Sequence, residues 1–70
     1  MISERLEKLV EDMVTRGVQF DDAVREFEKR FIVHVLTKAD GNLGKAATLL
    51  GIHRNTLSRK IAEYHLRHSA

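Results

Sequence analysis

Cysteine, proline and tryptophan are all missing from this chain of 70 residues. Without cysteine there is no disulfide framework and no thiolate metal site to reinforce a small fold. Without proline no helix is broken from within, and four glycines, Gly17, Gly41, Gly44 and Gly51, are left as the main punctuation. No apolar run approaches the roughly 20 residues of a membrane span and no signal-peptide pattern opens the chain, so a cytoplasmic location is expected. Also missing are a G-x-S-x-G elbow, a glycine-rich phosphate loop and paired buried carboxylates; no catalytic role is expected. His65 and His68 are spaced i, i+3 but have no cysteine or carboxylate beside them, so neither a metal site nor any other cofactor is expected.

What is present is an ordinary globular balance, 43% hydrophobic and 31% charged. A chain this short buries only about 60% of its unfolded surface, which leaves a marginal core. Self-association is the expected source of extra stability.

From Met1 to Thr15 the apolar residues Ile2, Leu6, Leu9, Val10, Met13 and Val14 recur at i, i+4, i+7, i+8, i+11 and i+12. That spacing predicts a one-sided helix, capped by Ser3 at its start and ended by Arg16 and Gly17. Val18 and Gln19 then make a connection short enough to favour an antiparallel neighbour. A second helix is expected from Asp21 or Asp22 to about Ala39, with both carboxylates in its first turn, where negative charge suits the helix dipole. In its second half Phe31, Ile32, Val33, Val35 and Leu36 run nearly all the way round. One neighbour cannot cover such a helix. Either a small core inside one subunit surrounds it, or it packs against a second copy of itself with help from the first helix. The chain has few other elements to supply cover, which favours the homodimer.

The stretch Gly41 to Tyr64, GNLGKAATLLGIHRNTLSRKIAEY, organises the rest. Leu43 to Leu50 predicts a short helix in which Ala46 and Ala47 are small enough to let another helix cross closely. Gly51 supplies the positive φ that ends it, and Ile52 can plug the gap beyond. A further helix is expected from about His53 to Tyr64, with Leu57, Ile61 and Tyr64 forming a narrow inward stripe. Arg54, Asn55, Ser58 and Arg59 lie off that stripe, where a helix in a DNA major groove would present them.

Charge is segregated although the total is only +2. Residues 1–40 carry seven Lys or Arg against nine Asp or Glu, a balance of −2. Residues 41–70 carry Lys45, Arg54, Arg59, Lys60 and Arg67 against Glu63 alone, a balance of +4. Phosphate backbone attracts such a cluster, whereas an evenly solvated helical protein has no reason to collect one.

On these residues the chain resembles the Fis-type helix-turn-helix family, which includes the nucleoid protein Fis and the C-terminal DNA-binding domains of NtrC-like activators. The matching residues are Gly41 and Asn42, Lys45 to Ala47, Leu49 to Ile52, Arg54 with Thr56 and Leu57, and Arg59 to Ile61 with Tyr64. The resemblance runs from about Phe20 to Leu66, two thirds of the chain.

It implies an all-α fold of four helices per subunit, dimerised through the first two, with the last as recognition helix. The expected division is 1–40 for dimerisation, 41–66 for the helix-turn-helix and 67–70 for a tail, together one compact domain. The interface expected is Leu6, Leu9, Val10, Met13, Phe27, Phe31, Ile32 and Val35. Arg54 matches an arginine that reads a base edge, as a guanidinium facing guanine O6 and N7 can. Arg59 matches a basic residue that approaches bases, and Thr56 and Lys60 match contacts closer to the phosphates. Asn42 matches a phosphate contact and is also a good N-cap; both roles stand open. The chain departs from Fis at His53, Ser58 and Gly44, where Fis has asparagine, a basic residue and threonine. His53 is a poor cap but could reach a base or phosphate, and Lys45 could compensate for the hydroxyl and charge lost at the other two. Fis also uses an arm ahead of its first helix to stimulate a recombinase; here the first helix starts almost at Met1, so that role is not expected to transfer.

The expected partners are double-stranded DNA and a second copy of the chain, with no membrane and no small-molecule substrate, and the expected place is the nucleoid. Two other readings stay open: the DNA-binding end of a larger activator, and a helical interaction module that has lost DNA binding. For the last, changing Arg54 and Arg59 to Ala should leave function intact.

Overall fold

A computed structural model describes residues 1–66; the tail at 67–70, with Arg67 and His68, lies outside the described residues. Four α-helices follow one another, α1 (Ile2–Thr15), α2 (Phe20–Lys38), α3 (Leu43–Leu50) and α4 (Arg54–Tyr64), and there is no strand among the described residues. The chain is all-α as expected.

All four helices stop in the same way. After α3, Gly51 turns left-handed at φ 73°, its N–H bonds Thr48 O at 3.2 Å, and the Ile52 N–H bonds Ala47 O at 3.1 Å. This is the Schellman pattern, which satisfies carbonyls the helix leaves orphaned. Gly17 does the same after α1, bonding Val14 while Val18 bonds Met13. Asp40 and His65 take the left-handed position after α2 and α4 at φ 53° and 54°, although neither is glycine. The starts differ more from expectation. Ser3 makes no cap hydrogen bond, because α1 already begins at Ile2, with Met1 in the N-cap position. α2 begins at Phe20, one or two residues early: Gln19 is the last extended residue, and both aspartates fall inside the first turn.

The core is built entirely from residues 32–66. Ile32, Leu36 and Ala39 from α2 and its end meet Ala46 and Ala47 of α3 and Leu57 and Ile61 of α4, with Val35, Leu43, Leu50, Ile52, Tyr64 and Leu66 around the rim. The two alanines are the centre of the arrangement. With only a methyl group each, they let α3 lie against both α2 and α4, and Leu57 fills the remaining space with no exposed surface.

α1 contributes nothing to this core and buries none of its residues. Rather than closing on α2, its apolar stripe forms one wall of an open groove of about 820 Å³ whose other wall is α2. The radius of gyration, 13.6 Å, exceeds the about 11 Å of a compact chain of this length, as a splayed helix requires. Leu6, Leu9, Val10, Met13, Phe27, Phe31 and Val35 all line the groove. Ile32, placed with them from the sequence, does not: it is 2% exposed and sits in the core under α3 and α4. One residue along a helix is about 100° of rotation, which carries Ile32 off the face of Phe31. The crowded second half of α2 therefore has two faces, one spent inside the subunit and one left open.

Candidate nucleic-acid interface

The helix-turn-helix is held from three sides. Asn42 is extended, at φ −77°, ψ 109°, and its Oδ1 accepts the Lys45 N–H at 3.0 Å, so the side chain caps α3. Asn42→Ala should cost about 1 kcal/mol, lowering the melting midpoint by about 4–8 °C in a domain of this size. Asn42→Ser should restore most of that stability, which separates the cap from any contact its amide makes outside the subunit. Thermal denaturation by circular dichroism reads both.

Gly51 and Ile52 then set the angle at which α4 leaves, since their two backbone bonds return to α3. His53 is the N-cap of α4: its Nδ1 accepts the Asn55 N–H at 3.0 Å. It was read from the sequence as a poor cap, but an unprotonated ring nitrogen is an acceptor at the same reach as a carboxamide oxygen. With Nδ1 so used, the ring's remaining nitrogen stays on the surface.

The apolar stripe of α4 closes on the core through Leu57 and Ile61, with Tyr64 half-buried. The opposite side carries Arg54, Asn55, Ser58 and Arg59, all exposed, with Thr56 half-buried on one flank. Asn42 and Lys45 are exposed at the N-terminal end of α3, where unpaired backbone N–H groups and the dipole favour an anion. No salt bridge or side-chain hydrogen bond engages Arg54 or Arg59 among the described residues. Two guanidiniums are thus presented to solvent from a helix of 11 residues, about 16 Å long.

A model of the family described as bacterial regulatory protein, Fis family, matches residues 23–64. The chain belongs to the Fis family of bacterial regulatory proteins. A Fis-like DNA-binding protein named in Xylella fastidiosa is 47% identical over 47 residues, 67% of this chain and 52% of that protein. Its namesake in Neisseria meningitidis is 32% identical over 69 residues, covering 93% of this chain and 85% of that one. The DNA-binding transcriptional regulator NtrC of Rhizobium meliloti is 48% identical over 44 residues, 63% of this chain but 9% of its own length. The chain therefore spans about half the length of the Xylella relatives and a small part of NtrC. No solved structure matches.

One residue of this Fis-family helix-turn-helix stands apart from the exposed set. Lys60 is turned toward α2, where its Nζ donates to Glu28 Oε1 at 2.7 Å. The Tyr64 hydroxyl donates to the same oxygen at 2.9 Å. These bonds, first from Lys60 and then from Tyr64, hold the Glu28 carboxyl below the usual carboxylate range. The hydrogen bond to Glu28 likewise holds the Lys60 ammonium above its ordinary value and raises the Tyr64 phenol. Glu28 was missed from the sequence. It precedes Ile32 by one turn and Leu36 by two, so it is a carboxylate on the stripe of α2 that faces the core, and that position was the available signal.

Proposed function

We propose that this chain is a homodimeric, non-enzymatic DNA-binding regulator that lays α4 in the major groove, acting on nucleoid DNA in the cytoplasm. The observation that carries the reading is the exposed face of α4, Arg54, Asn55, Ser58 and Arg59, on a helix whose other side is locked into the core. Arg54 and Arg59 read base edges, with Arg54 able to take guanine O6 and N7 bidentately. Asn42, Lys45, His53, Asn55, Thr56 and Ser58 lie where phosphates pass the ends of α3 and the flanks of α4, and contacts of that kind fix register.

The second copy is assigned to the groove between α1 and α2. Its lining is almost wholly apolar, and among the described residues none of α1 is buried. Leu9 and Phe31 remain about half exposed in the single chain, an arrangement a second apolar face relieves. Two recognition helices related by a two-fold axis would meet half-sites roughly 34–36 Å apart, with DNA bending absorbing any mismatch. The likeness to a short part of NtrC supports a second reading, in which the same dimer is the DNA-binding end of a larger activator.

Arg54→Ala tests the recognition helix. It should weaken binding to the preferred duplex by about 1–3 kcal/mol, roughly 5- to 150-fold, and relax the preference at one base position. Fluorescence anisotropy against a randomised and a selected duplex measures both. An Arg54→Ala chain that binds as well as the original would sink the assignment.

A further inference from the structure

Lys60 is a candidate phosphate contact by resemblance, yet its ammonium is committed to Glu28. We propose that Glu28 is a positioning residue that holds Lys60 off the DNA backbone, fastening the recognition helix to α2 and lowering sequence-independent affinity. The inference rests on the DNA-binding reading above and adds a restraint to it.

Three observations carry it. The contact is short, 2.7 Å between a charged donor and a charged acceptor, the strong class of hydrogen bond. Both side chains are 32% exposed, so water and salt screen the pair less than they screen Arg16 with Asp12, at 74% and 58%. Lastly, Tyr64 joins the same carboxylate oxygen one turn beyond Lys60, so the end of α4 is gripped at two successive turns.

The arrangement has an electrostatic cost for DNA binding. Lys60 lies one turn beyond Thr56 on the flank of α4 facing α2, and a free ammonium there could swing to a phosphate. Paired with Glu28 it displaces no counterion, so each subunit forgoes one contact of the kind that binds all sequences equally. The direct reading by Arg54 and Arg59 is untouched, because neither is engaged by Glu28. The ratio of specific to non-specific binding rises as a result, and the angle of α4 is fixed by a bond spanning 32 residues of sequence.

The test is the salt dependence of binding to a random duplex by the full chain and its variants. Glu28→Gln removes the charge that holds Lys60 but keeps an acceptor for Tyr64. It should steepen the slope of log K against log salt by about 0.9 per bound subunit, so that the loss of non-specific affinity between about 50 mM and about 200 mM salt grows by a further factor of about 3.5 for each subunit. Glu28→Gln combined with Lys60→Met should return the slope to that of the unaltered chain. A steeper slope that survives in the double variant would mean that loss of the Glu28 charge acts diffusely, and would overturn the inference. So would an unchanged slope in Glu28→Gln, or a Lys60→Met chain whose slope falls by about 0.9, since Lys60 would then already touch phosphate. If Glu28→Gln folds poorly, Glu28→Ala replaces it, and a Lys60→Met slope that falls by about 0.9 overturns the inference whichever of the two is used. An unaltered chain that ignores duplex DNA at low salt would remove the DNA reading itself, an outcome distinct from all of these.

Discussion

Leu57→Ala should leave little folded protein at physiological temperature. Leu57 is fully buried where α2, α3 and α4 meet, and the neighbours that would have to close over the gap are Ala46 and Ala47, which have no side chain to extend into it. Truncating a leucine in such a site costs about 2–5 kcal/mol. A domain of this length has about 4–10 kcal/mol in all, so the loss is a large part of the total. Leu49→Ala is the control: Leu49 is the same residue type on α3 but is 55% exposed, and its truncation should stay within about 0.5 kcal/mol. Urea denaturation followed by circular dichroism compares them directly. Equal costs would mean that the core is not where the helices cross.

Phe31→Asp should separate the proposed dimer. Phe31 stacks at a tilt on Phe27, ring centres 5.5 Å apart, on the open wall of α2, and neither ring belongs to the core that Ile32 joins. Within one subunit the change therefore removes little packing. Across a two-fold axis it places two carboxylates in an apolar interface, each costing several kcal/mol to desolvate. The species in solution should fall from a dimer of two 8.0 kDa chains to one chain, and DNA affinity should fall by a factor of about 10²–10⁴ as the two half-sites lose their linkage. Light scattering and the duplex titration read the two effects. Should the variant retain the dimeric mass, the groove is not the interface.

Much of the fold was readable because it is encoded locally. The six apolar residues of α1 have helical spacing, Gly17 and Gly51 stand where their helices end, and Asn42 stands where a cap is needed; each signal acts over about one turn. The features that escaped depend on distance or on detail within a turn. Nothing local says that Ile32 faces α3 and α4 while Phe31 faces outward, since both are apolar and adjacent; only the position of the other helices decides. Glu28 and Lys60 meet across 32 residues, which no periodicity reports. Asp40 and His65 take the left-handed position for which glycine is the usual signature, so the form of those two helix ends carries no mark, although the ends themselves fall within a residue of the expected Ala39 and Tyr64. His53 was misjudged because its cap depends on which ring nitrogen carries the proton.

The expected border between pairing and DNA reading fell at residue 40, in the turn after α2. The packing runs across that turn. Ile32, Leu36 and Ala39 join α2 to α3 and α4 in one core, and Glu28 adds a strut from α2 to the far end of α4. Sharing one core and one strut, these three helices should open and close as one cooperative unit, with the seam at residues 17–19, which hydrogen exchange would show as a step in protection. On the dimer reading, α1 is a second unit whose open apolar face is covered by the copy proposed for the groove. On that reading the chain carries two levels of order, an inner one written into its own core and an outer one conferred by association, and any variant can be sorted by which of the two it lowers.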